Sequence, residues 1–422
     1  MIVGKRRTFL YFVSCFLILM VIVTLRGGNH HGGPRTSPRS RTRDAKRSAD
    51  AHAKNAPNPY KYKVFDNYNE ANEEYDAYKD QGPNGDSTDP LDIRTFSSTD
   101  DQLLYLYNKV LSAPWMPNRK NLASFRDVFY RQTRNMTAQD EVILNHQNVK
   151  LGDSLPYAFT NTLGAKDGVK YYFNITQEIL DEIPVASPFH GKTFKRCSVV
   201  GNSGILWNSK CGKDIDKADF VFRSNVPPLR PFVVDAGRKS NLSTMNPSII
   251  NNRFRRLKDI ADHEKFAKEI GEYNGMLWLP CIGSVKMVEV CLQAKRSLDF
   301  HGGGNPRTAI ANPYHYIAVQ YFWSHRNLTQ FMSTGFYVTH LSLAMCDETH
   351  LYGFWPFGTT VEDSPTDPDN NTVSFRQRKV RYHYFDNLPG PNGAHSMQDE
   401  FGVLVQMHKL GMLKMHASSC QE

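Results

Sequence analysis

Residues 197–206, CSVVGNSGIL, place a short glycine loop between two apolar runs. The first run is typical of a buried strand, and the second is typical of the start of a helix. Glycines let backbone N–H groups approach an anion, and a helix N-terminus favours negative charge. At the carboxyl end of a strand, such a loop predicts a nucleotide-phosphate site. A tight turn with no ligand is the alternative, because the loop has neither G-x-G-x-x-G nor Walker spacing.

A second apolar run, DFVFRSN at residues 219–225, also ends in polar side chains. Asn225 stands at its end, where a carboxamide can bond a ribose, base or phosphate oxygen. Two D-x-D strings follow a metal-like pattern, but we interpret both as surface acids: Asp214 with Asp216 in a helical stretch, and Asp367 with Asp369 in a proline-rich loop.

The elements that must position these residues alternate along the chain. Strand-like runs (CSVV, DFVFRSN, MLWLPCI, THLYGFW) alternate with helical runs (RFRRLKDIADHEKFAKEI, the stretch around HYIAVQYFW, and DEFGVLVQMHKLGMLK). Helical spacing of apolar residues begins just after residue 100, at Leu103, Leu104, Leu106, Val110 and Leu111. The pattern predicts an α/β domain over residues 101–422, with a mostly parallel sheet flanked by helices.

The positive charge of the chain is concentrated at its N-terminus. The 422 residues carry a formal net charge of +9, and residues 1–54 alone hold 11 Lys or Arg and two Asp. The remaining residues therefore have no net charge. This distribution disfavours a body that binds nucleic acid.

Residues 8–25 form an apolar run without a charged side chain. Eighteen helical residues reach about 27 Å, enough for a thin hydrocarbon core. Lys5, Arg6 and Arg7 precede the run, so residues 1–7 are predicted to be cytoplasmic and the C-terminal side lumenal. Residues 26–100 are poor in aliphatic side chains and are predicted to be a stem. A cleaved signal peptide is the alternative, although no small-x-small site follows the run.

Sequons and cysteines also favour a lumenal body. Six cysteines lie beyond the predicted span, an even number suited to an oxidising compartment, and sequence alone does not choose among their 15 pairings. Five N-x-S/T sequons predict glycosylation sites: Asn135, Asn174, Asn241, Asn327 and Asn370.

Four ordered motifs resemble those of the animal sialyltransferase family. RCSVVGNSGILWNSKCGKDIDKADFVFRSNVPP, from residue 196, resembles the long sialylmotif, and MSTGFYVTHLSLAMCDETHLYGFWPF, at 332–357, resembles the short one. RYHYFDN at 381–387 matches the third motif, and HSMQDEF matches the very short motif through His395 and Glu400. GFWPF, NPSII at 246–250 and the H-x-M-x-x-E-F form are similar to the α2,8-sialyltransferase branch.

This resemblance implies a Rossmann-like, GT-A-type variant fold and an inverting transfer of sialic acid from CMP-sialic acid. It implies His395 as the general base and His383 as a group near the phosphate. Glu400 either orients nearby structure or is a plain helix-start acid. No metal or other cofactor is expected, because a nucleoside monophosphate leaves with modest charge. The resemblance also assigns contacts with CMP-sialic acid to six further residues: Asn202, Asn225, Ser333, Thr334, Gly335 and Tyr382. It further implies a flat apolar wall for cytosine, formed by Trp355, Pro356 and Phe357, and core packing of these residues is the alternative.

The resemblance also implies disulfides between Cys197 and Cys346 and between Cys211 and Cys420. Cys281 and Cys291 depart from the family pattern, and whether they form a third bridge stays open. The expected partners are the donor, a membrane and a sialylated glycoprotein or glycolipid acceptor, and a homodimer is left open.

The leading hypothesis is a single-pass type II enzyme of the Golgi membrane that forms α2,8 linkages. An α2,3 or α2,6 enzyme acting on Gal or GalNAc stays open, as does a non-catalytic lectin-like or scaffold protein of the same fold. Polysialic acid synthesis is less favoured, since residues 286–331 contain only five basic side chains.

Overall fold

All residues that the computed structural model describes lie within the compact unit Pro59–Glu422. They are residues 92–94, 99–133, 135–162, 171–303, 306–326, 328, 330–363, 375–388, 390 and 395–420. The predicted tail and span, and nearly all of the predicted stem, therefore lie outside the described residues. Among the described helices, none combines the length and apolar character needed to cross a membrane.

The described part of the chain contains twelve strands, numbered in chain order: β1 Asp92–Arg94, β2 Ser154–Pro156, β3 Tyr172–Asn174, β4 Phe194–Val200, β5 Phe220–Arg223, β6 Leu242–Thr244, β7 Met276–Leu279, β8 Arg307–Ile310, β9 Cys346–Tyr352, β10 Thr359–Asp363, β11 Phe375–Lys379 and β12 Lys414–His416. The α-helices in the same residues are α1 Thr99–Ser112, α2 Arg119–Gln132, α3 Ala138–Glu141, α4 Ala158–Thr162, α5 Gln177–Glu182, α6 Gly212–Asp216, α7 Val233–Ala236, α8 Pro247–Arg253, α9 Ile260–Ile270, α10 Val285–His301, α11 Pro313–Ser324, α12 Thr334–Met345 and α13 Met397–Lys409.

Seven strands form one central sheet in the order β12-β9-β4-β5-β6-β7-β8. Every neighbouring pair in it is parallel. The carboxyl-terminal halves of β4 and β9 and all of β5 are buried residue after residue, as expected for strands covered on both faces. The predicted mostly parallel sheet flanked by helices is therefore confirmed.

The chain order reverses between β4 and β9. From β4 the strands proceed in one direction to β8, whereas β9 and β12 are added on the other side. In open α/β sheets, ligands bind outside the carboxyl ends of the strands at such a reversal. Helix α12, which packs against β4, β5 and β9, begins at the same edge.

One predicted helix is shorter than its sequence pattern. The run at residues 253–270 was predicted as one helix, but α8 ends at Arg253 and α9 begins at Ile260. Between them Arg255, Arg256 and Leu257 have φ angles of 48°, 61° and 52°, which are left-handed values. The side chain of Asp259 accepts a hydrogen bond from the Asp262 N–H, and this cap starts α9 afresh.

Candidate active site at the carboxyl edge of the sheet

The two glycines of the loop after β4 are required by neighbouring backbone. A Cβ atom at Gly201 would lie 2.4 Å from the carbonyl oxygen of Gly353, and one at Gly204 would lie 2.4 Å from that of Arg381. The Gly201 N–H donates to Tyr352 O at 2.8 Å, and the Gly204 N–H donates to Arg381 O at 3.0 Å. The expected helix start after the loop is only a 3₁₀ turn, Gly204–Leu206. These amides therefore hold the loop against the protein, and the loop leads directly into a 3₁₀ turn rather than an α-helix whose N-terminus could favour an anion.

Asn202 bridges the loop to β5. Its Nδ2 donates to the carbonyl oxygen of Ser224 at 3.0 Å, which fixes the orientation of the amide. Its Oδ1 is buried without a hydrogen-bond partner in the described protein, and so is the hydroxyl oxygen of Ser224. The Asn202 backbone carbonyl accepts from the Tyr384 N–H at 2.9 Å. An acceptor fixed and left unpaired in this way suits a hydrogen-bond donor on a ligand.

Asn225 lies in a turn stabilised by polar contacts at the ends of β5 and β6. Its φ of 58° is left-handed, a conformation that asparagine tolerates better than most residues. Its N–H donates to the Thr244 hydroxyl at 3.0 Å, and its Oδ1 accepts from the Asn246 N–H at 3.3 Å. Asn246 Nδ2 in turn donates to the Thr334 hydroxyl at 3.3 Å. The predicted residues Asn225 and Thr334 are thus linked through Asn246.

His395 and Glu400 hold the segment that enters α12. His395 Nδ1–H donates to the carbonyl oxygen of Phe331 at 2.8 Å, and the two rings stack with centroids 5.9 Å apart. Glu400 accepts from the Ser333 N–H at 2.6 Å and from its hydroxyl at 2.5 Å. Ser333 Oγ accepts the Phe336 N–H and caps α12. The five-residue spacing of His395 and Glu400 therefore positions the N-terminus of α12.

The environments of His395 and Glu400 shift the pKa values of the two side chains in opposite directions from their ordinary values. Burial lowers the pKa of His395, and its contact with the Phe331 carbonyl partly offsets that effect. Burial raises the pKa of Glu400 to about 7, against the opposing effect of its bonds from Ser333. Because the Phe331 carbonyl can only accept, His395 keeps its proton on Nδ1 and presents a lone pair on Nε2.

The start of α12 places a helix N-terminus beside the glycine loop. The first amides of a helix have no acceptor inside it and favour an anion. Gly335 stands in this first turn, and the place of its missing Cβ is 3.3 Å from the Phe354 ring and 3.7 Å from Ser224 Oγ. The residues predicted from the short motif, Ser333, Thr334 and Gly335, therefore lie beside the ends of β5 and β9.

His383 lies in the third motif beside Asp386. Its Nδ1–H donates to the carboxylate oxygens of Asp386 at 2.9 and 3.1 Å. Its ring stacks on Phe385 at 4.8 Å and contacts Tyr382 at 4.5 Å. Burial raises the pKa of Tyr382, and the Glu400 carboxylate adds to that effect. The Asp386 carboxylate therefore orients the imidazole.

The aromatic wall predicted after β9 is largely core. Trp355 is only 3% exposed, its Nε1–H donates to Thr359 O at 2.9 Å, and its ring packs against Phe357 and Phe401. Phe357 stacks on Tyr107 at 5.9 Å. The alternative of core packing therefore holds for Trp355, since a fully enclosed ring offers no face to a base. Pro356 and Phe357 are half-buried.

Several residues of the site were not singled out from the sequence. Ser224 and Asn246 each stand beside a residue that was, and a count of polar side chains at strand ends would have found them. Phe331 carries no such signal, because an aromatic residue there also suits an ordinary loop, whereas Phe354 and Asp386 lie inside the quoted motifs GFWPF and RYHYFDN.

Both implied disulfides are present in the structure, Cys197–Cys346 and Cys211–Cys420. Cys281 and Cys291 are buried free thiols. Burial and the neighbouring Cys291 raise the pKa of Cys281.

The D-x-D acids that the structure describes have structural partners. Asp214 bonds to Lys217 at 2.8 Å. Asp216 accepts from the Arg238 and Lys239 N–H groups and lies 3.8 Å from the buried guanidinium of Arg223. The side chains of Asp214 and Asp216 are each 33% exposed, in keeping with surface acids, and Asp216 also has a structural role. Asp367 and Asp369 lie outside the described residues. Within the described ranges, no three His, Cys, Asp or Glu side chains form a group suited to a metal.

Three of the five predicted glycosylation positions fall among the described residues. Asn135 and Asn174 are exposed. Asn241 is half-buried, its Oδ1 accepts from the Val221 N–H at 2.8 Å, and Ser243 of its sequon is fully buried. This environment disfavours a glycan on Asn241. Asn327 and Asn370 lie outside the described residues.

Comparison with known proteins identifies one family. The family model described as glycosyltransferase family 29 (sialyltransferase) matches residues 139–412. Alpha-2,8-sialyltransferase 8F of Homo sapiens is 30% identical over 331 residues, covering 78% of this chain and 76% of its own, and that of Mus musculus is 28% identical over 338 residues, covering 79% and 78%. The alpha-N-acetylneuraminide alpha-2,8-sialyltransferase of Bos taurus is 34% identical over 287 residues, covering 66% and 72%.

A crystal structure of a mammalian sialyltransferase aligns with 17% sequence identity and a TM-score of 0.34, covering 76% of this chain and 86% of its own. The family match spans more than half of the chain and includes every described site residue from Asn202 to Glu400. The chain belongs to glycosyltransferase family 29, the sialyltransferases.

Proposed function

We propose that the chain transfers sialic acid from CMP-sialic acid to a sialylated glycan, forming an α2,8 linkage with inversion. The names of its relatives support the linkage. The observation that carries the proposal is that His395 and Glu400 both hydrogen-bond to the segment that enters α12. His395 is fixed through Phe331 O with its Nε2 free, and Glu400 fixes the helix terminus through Ser333.

In the proposed mechanism, His395 Nε2 removes the proton of the acceptor hydroxyl as its oxygen attacks the anomeric carbon of sialic acid. Its Nδ1–H remains bonded to Phe331 O, so the ring accepts the proton without changing orientation. The bond between the anomeric carbon and the phosphate oxygen breaks, and CMP leaves. Attack opposite to the departing group inverts the configuration.

Charge on the departing phosphate would be stabilised from two directions. The first-turn amides of α12 offer N–H donors and the positive end of the helix. His383, oriented by Asp386, would donate from Nε2 to a phosphate oxygen. We propose that these groups suffice without a metal ion, because a nucleoside monophosphate carries less charge than a diphosphate.

We further propose that Asn202 and Asn225 contact the nucleotide. The unpaired Oδ1 of Asn202 needs a hydrogen-bond donor, and a ribose hydroxyl or the cytosine amino group provides one. An ionised phosphate oxygen cannot donate a hydrogen bond, so Asn202 Oδ1 is assigned to the nucleoside part of CMP-sialic acid.

The wider architecture is also a proposal. Residues 1–7 form a cytoplasmic tail, residues 8–25 a signal-anchor, residues 26–100 a stem, and residues 101–422 a single lumenal catalytic domain of Rossmann-like, GT-A-type variant fold. The enzyme would be a single-pass type II protein of the Golgi membrane, acting on glycoproteins or glycolipids. The apolar run and its Lys-Arg-Arg flank support this topology.

A product analysis tests the proposal. The purified enzyme is incubated with CMP-sialic acid and with matched acceptors that either end in sialic acid or lack it, and the new linkage is determined. We expect transfer only to sialylated acceptors, with an α2,8 bond. Transfer to Gal or GalNAc would reject the linkage, and donor binding without transfer to any acceptor would reject the enzymatic function.

A further inference from the structure

Ser224 is a buried polar residue at the end of β5 whose hydroxyl has no partner. Its N–H donates to Val200 O at 3.3 Å, and its carbonyl accepts from Asn202 Nδ2 at 3.0 Å, so its backbone is fixed. The residue is 5% exposed, and its Oγ makes no hydrogen bond in the described protein. Burying a hydroxyl without a partner costs free energy, so such groups in native proteins call for an explanation.

The surroundings of this hydroxyl indicate a ligand. Ser224 Oγ lies 3.7 Å from where a Cβ of Gly335 would stand, in the first turn of α12. The neighbouring Asn202 Oδ1 is also buried and unpaired. The two unpaired polar atoms therefore belong to hydrogen-bonded residues at the ends of the adjacent parallel strands β4 and β5, and Ser224 lies next to the first turn of α12.

An unpaired buried hydroxyl alone would not make a site. Ser297 in α10 is also a buried serine without a partner for its Oγ, and it is 3% exposed. It lies in α10 between Ala294 and Leu298, which are both buried in the hydrophobic core. Ser297 therefore serves as a matched control for the effect of removing a hydroxyl from the protein interior.

We propose that the Ser224 hydroxyl binds the nucleotide part of CMP-sialic acid, alongside Asn202. This inference rests on the proposed function, because it assigns the ligand by the donor of that reaction. Ser224 is a binding residue whose hydrogen bond forms only when nucleotide is present. In the unliganded enzyme, its hydroxyl remains buried and unpaired.

The test compares Ser224→Ala with Ser297→Ala by CMP titration, thermal unfolding and steady-state kinetics. We expect Ser224→Ala to weaken CMP binding and to raise the KM for CMP-sialic acid by about tenfold, which is the loss of one hydrogen bond. The KM for the acceptor should not change, and the unliganded Tm should not fall. Ser297→Ala should leave CMP binding unchanged. Ser224→Cys, which keeps the side-chain size but bonds weakly, should resemble Ser224→Ala.

Three results would overturn the inference: CMP binding of Ser224→Ala equal to that of wild type, an equal weakening in Ser297→Ala, or a lower Tm that accounts for the weaker binding. Wild-type enzyme that fails to bind CMP would instead reject the proposed function, and the inference with it.

Discussion

His395 and Glu400 lie five residues apart and bind Phe331 and Ser333, which are two residues apart. In the proposed mechanism His395 is the general base, and a backbone carbonyl fixes its tautomer. The very short motif therefore both orients the imidazole and binds Ser333, the residue that caps α12. Its two members should nevertheless respond differently to substitution.

His395→Ala is expected to lower kcat at least a hundredfold, because general-base catalysis contributes roughly that much. CMP binding should persist, since the proposed mechanism places the imidazole on the acceptor side of the reaction. Transfer assays and CMP titration measure the two effects. His325→Ala, at an exposed histidine after α11, provides the control. Normal turnover in His395→Ala would reject the residue as the base.

Glu400→Gln is expected to change how stability depends on pH. Burial raises the pKa of Glu400 to about 7 in the folded state, above its unfolded value of about 4.5. The folded protein therefore binds a proton that the unfolded chain releases between these values, and wild-type stability is lost as pH rises from 4.5 through 7.

Glutamine cannot ionise, so relative to wild type the variant should gain on the order of 3 kcal/mol between pH 4.5 and 8. Chemical denaturation at a series of pH values measures the difference. Glu264→Gln, at an exposed carboxylate in α9, is the control. A constant difference between Glu400→Gln and wild type across this range would contradict the expectation.

At the scale of elements, the edge strand β12 is joined to β9 by two histidines as well as by the strand ladder. His350 Nδ1 and His416 Nε2 are 2.9 Å apart, and His416 stacks on Tyr352 with ring centroids 4.2 Å apart. Burial lowers the pKa of His350 to about 3 and that of His416 to about 2. Both rings are therefore neutral in the folded protein.

Acidification should weaken this strand pair. The unfolded histidines take up protons below pH 6.5 and the folded ones do not, so the free energy of unfolding falls as pH drops below 6.5. The expected loss is on the order of 1 kcal/mol per ring between pH 6.5 and 5.5. His416→Gln should show a shallower decline than wild type in thermal unfolding at those pH values. An identical slope in both proteins would refute the role of the pair.

The Cys211–Cys420 bridge should contribute strongly to stability. It joins residues 209 apart and fixes the segment after β12 to the N-terminus of α6. In the chain-entropy model, a loop of that length contributes about 5 kcal/mol. Cys420→Ser should therefore lower the urea midpoint markedly, and reductant should affect this variant less than wild type. An unchanged midpoint would show that the unfolded chain is not restrained by the bridge.

The mostly parallel sheet followed from local patterns, because buried parallel strands leave direct marks in sequence, whereas most of the predicted site residues followed from the family resemblance of the four motifs. Three features did not. The left-handed turn at Arg255 depends on packing around it rather than on residue preference. The glycine loop is shaped by Gly353 and Arg381, which are distant in sequence. Trp355 is a residue type that can also stack on a base, and its burial depends in part on packing against Phe401, which is distant in sequence.

At the scale of the whole molecule, the net charge belongs to the N-terminal region and the rest of the chain is formally neutral. Binding of the anionic CMP-sialic acid must therefore depend on individual groups at the binding site, such as helix amides and imidazoles, rather than on net charge. It follows that transfer should not require the N-terminal region.

A secreted protein that begins at residue 90 is expected to keep the kcat and donor KM of the full chain. It retains β1, which pairs with β11. A protein that begins at residue 99 loses that strand and should unfold at a lower temperature. Enzyme assays and thermal unfolding of the two secreted proteins measure these effects. Inactivity of the longer one, beside an active full-length enzyme, would show that the N-terminal region takes part in catalysis.

The contact between the Gly201 and Gly353 backbones has a consequence for sequence evolution. A Cβ on Gly201 would lie 2.4 Å from Gly353 O, and one on Gly353 would lie 2.7 Å from Gly201 O. In an ordinary core, a larger side chain at one position can be accommodated by a smaller one opposite. Here both positions already hold the smallest residue, so no second-site change at the partner can compensate. Each glycine is thus constrained independently, and a second substitution at the other position cannot make the replacement of either glycine tolerable.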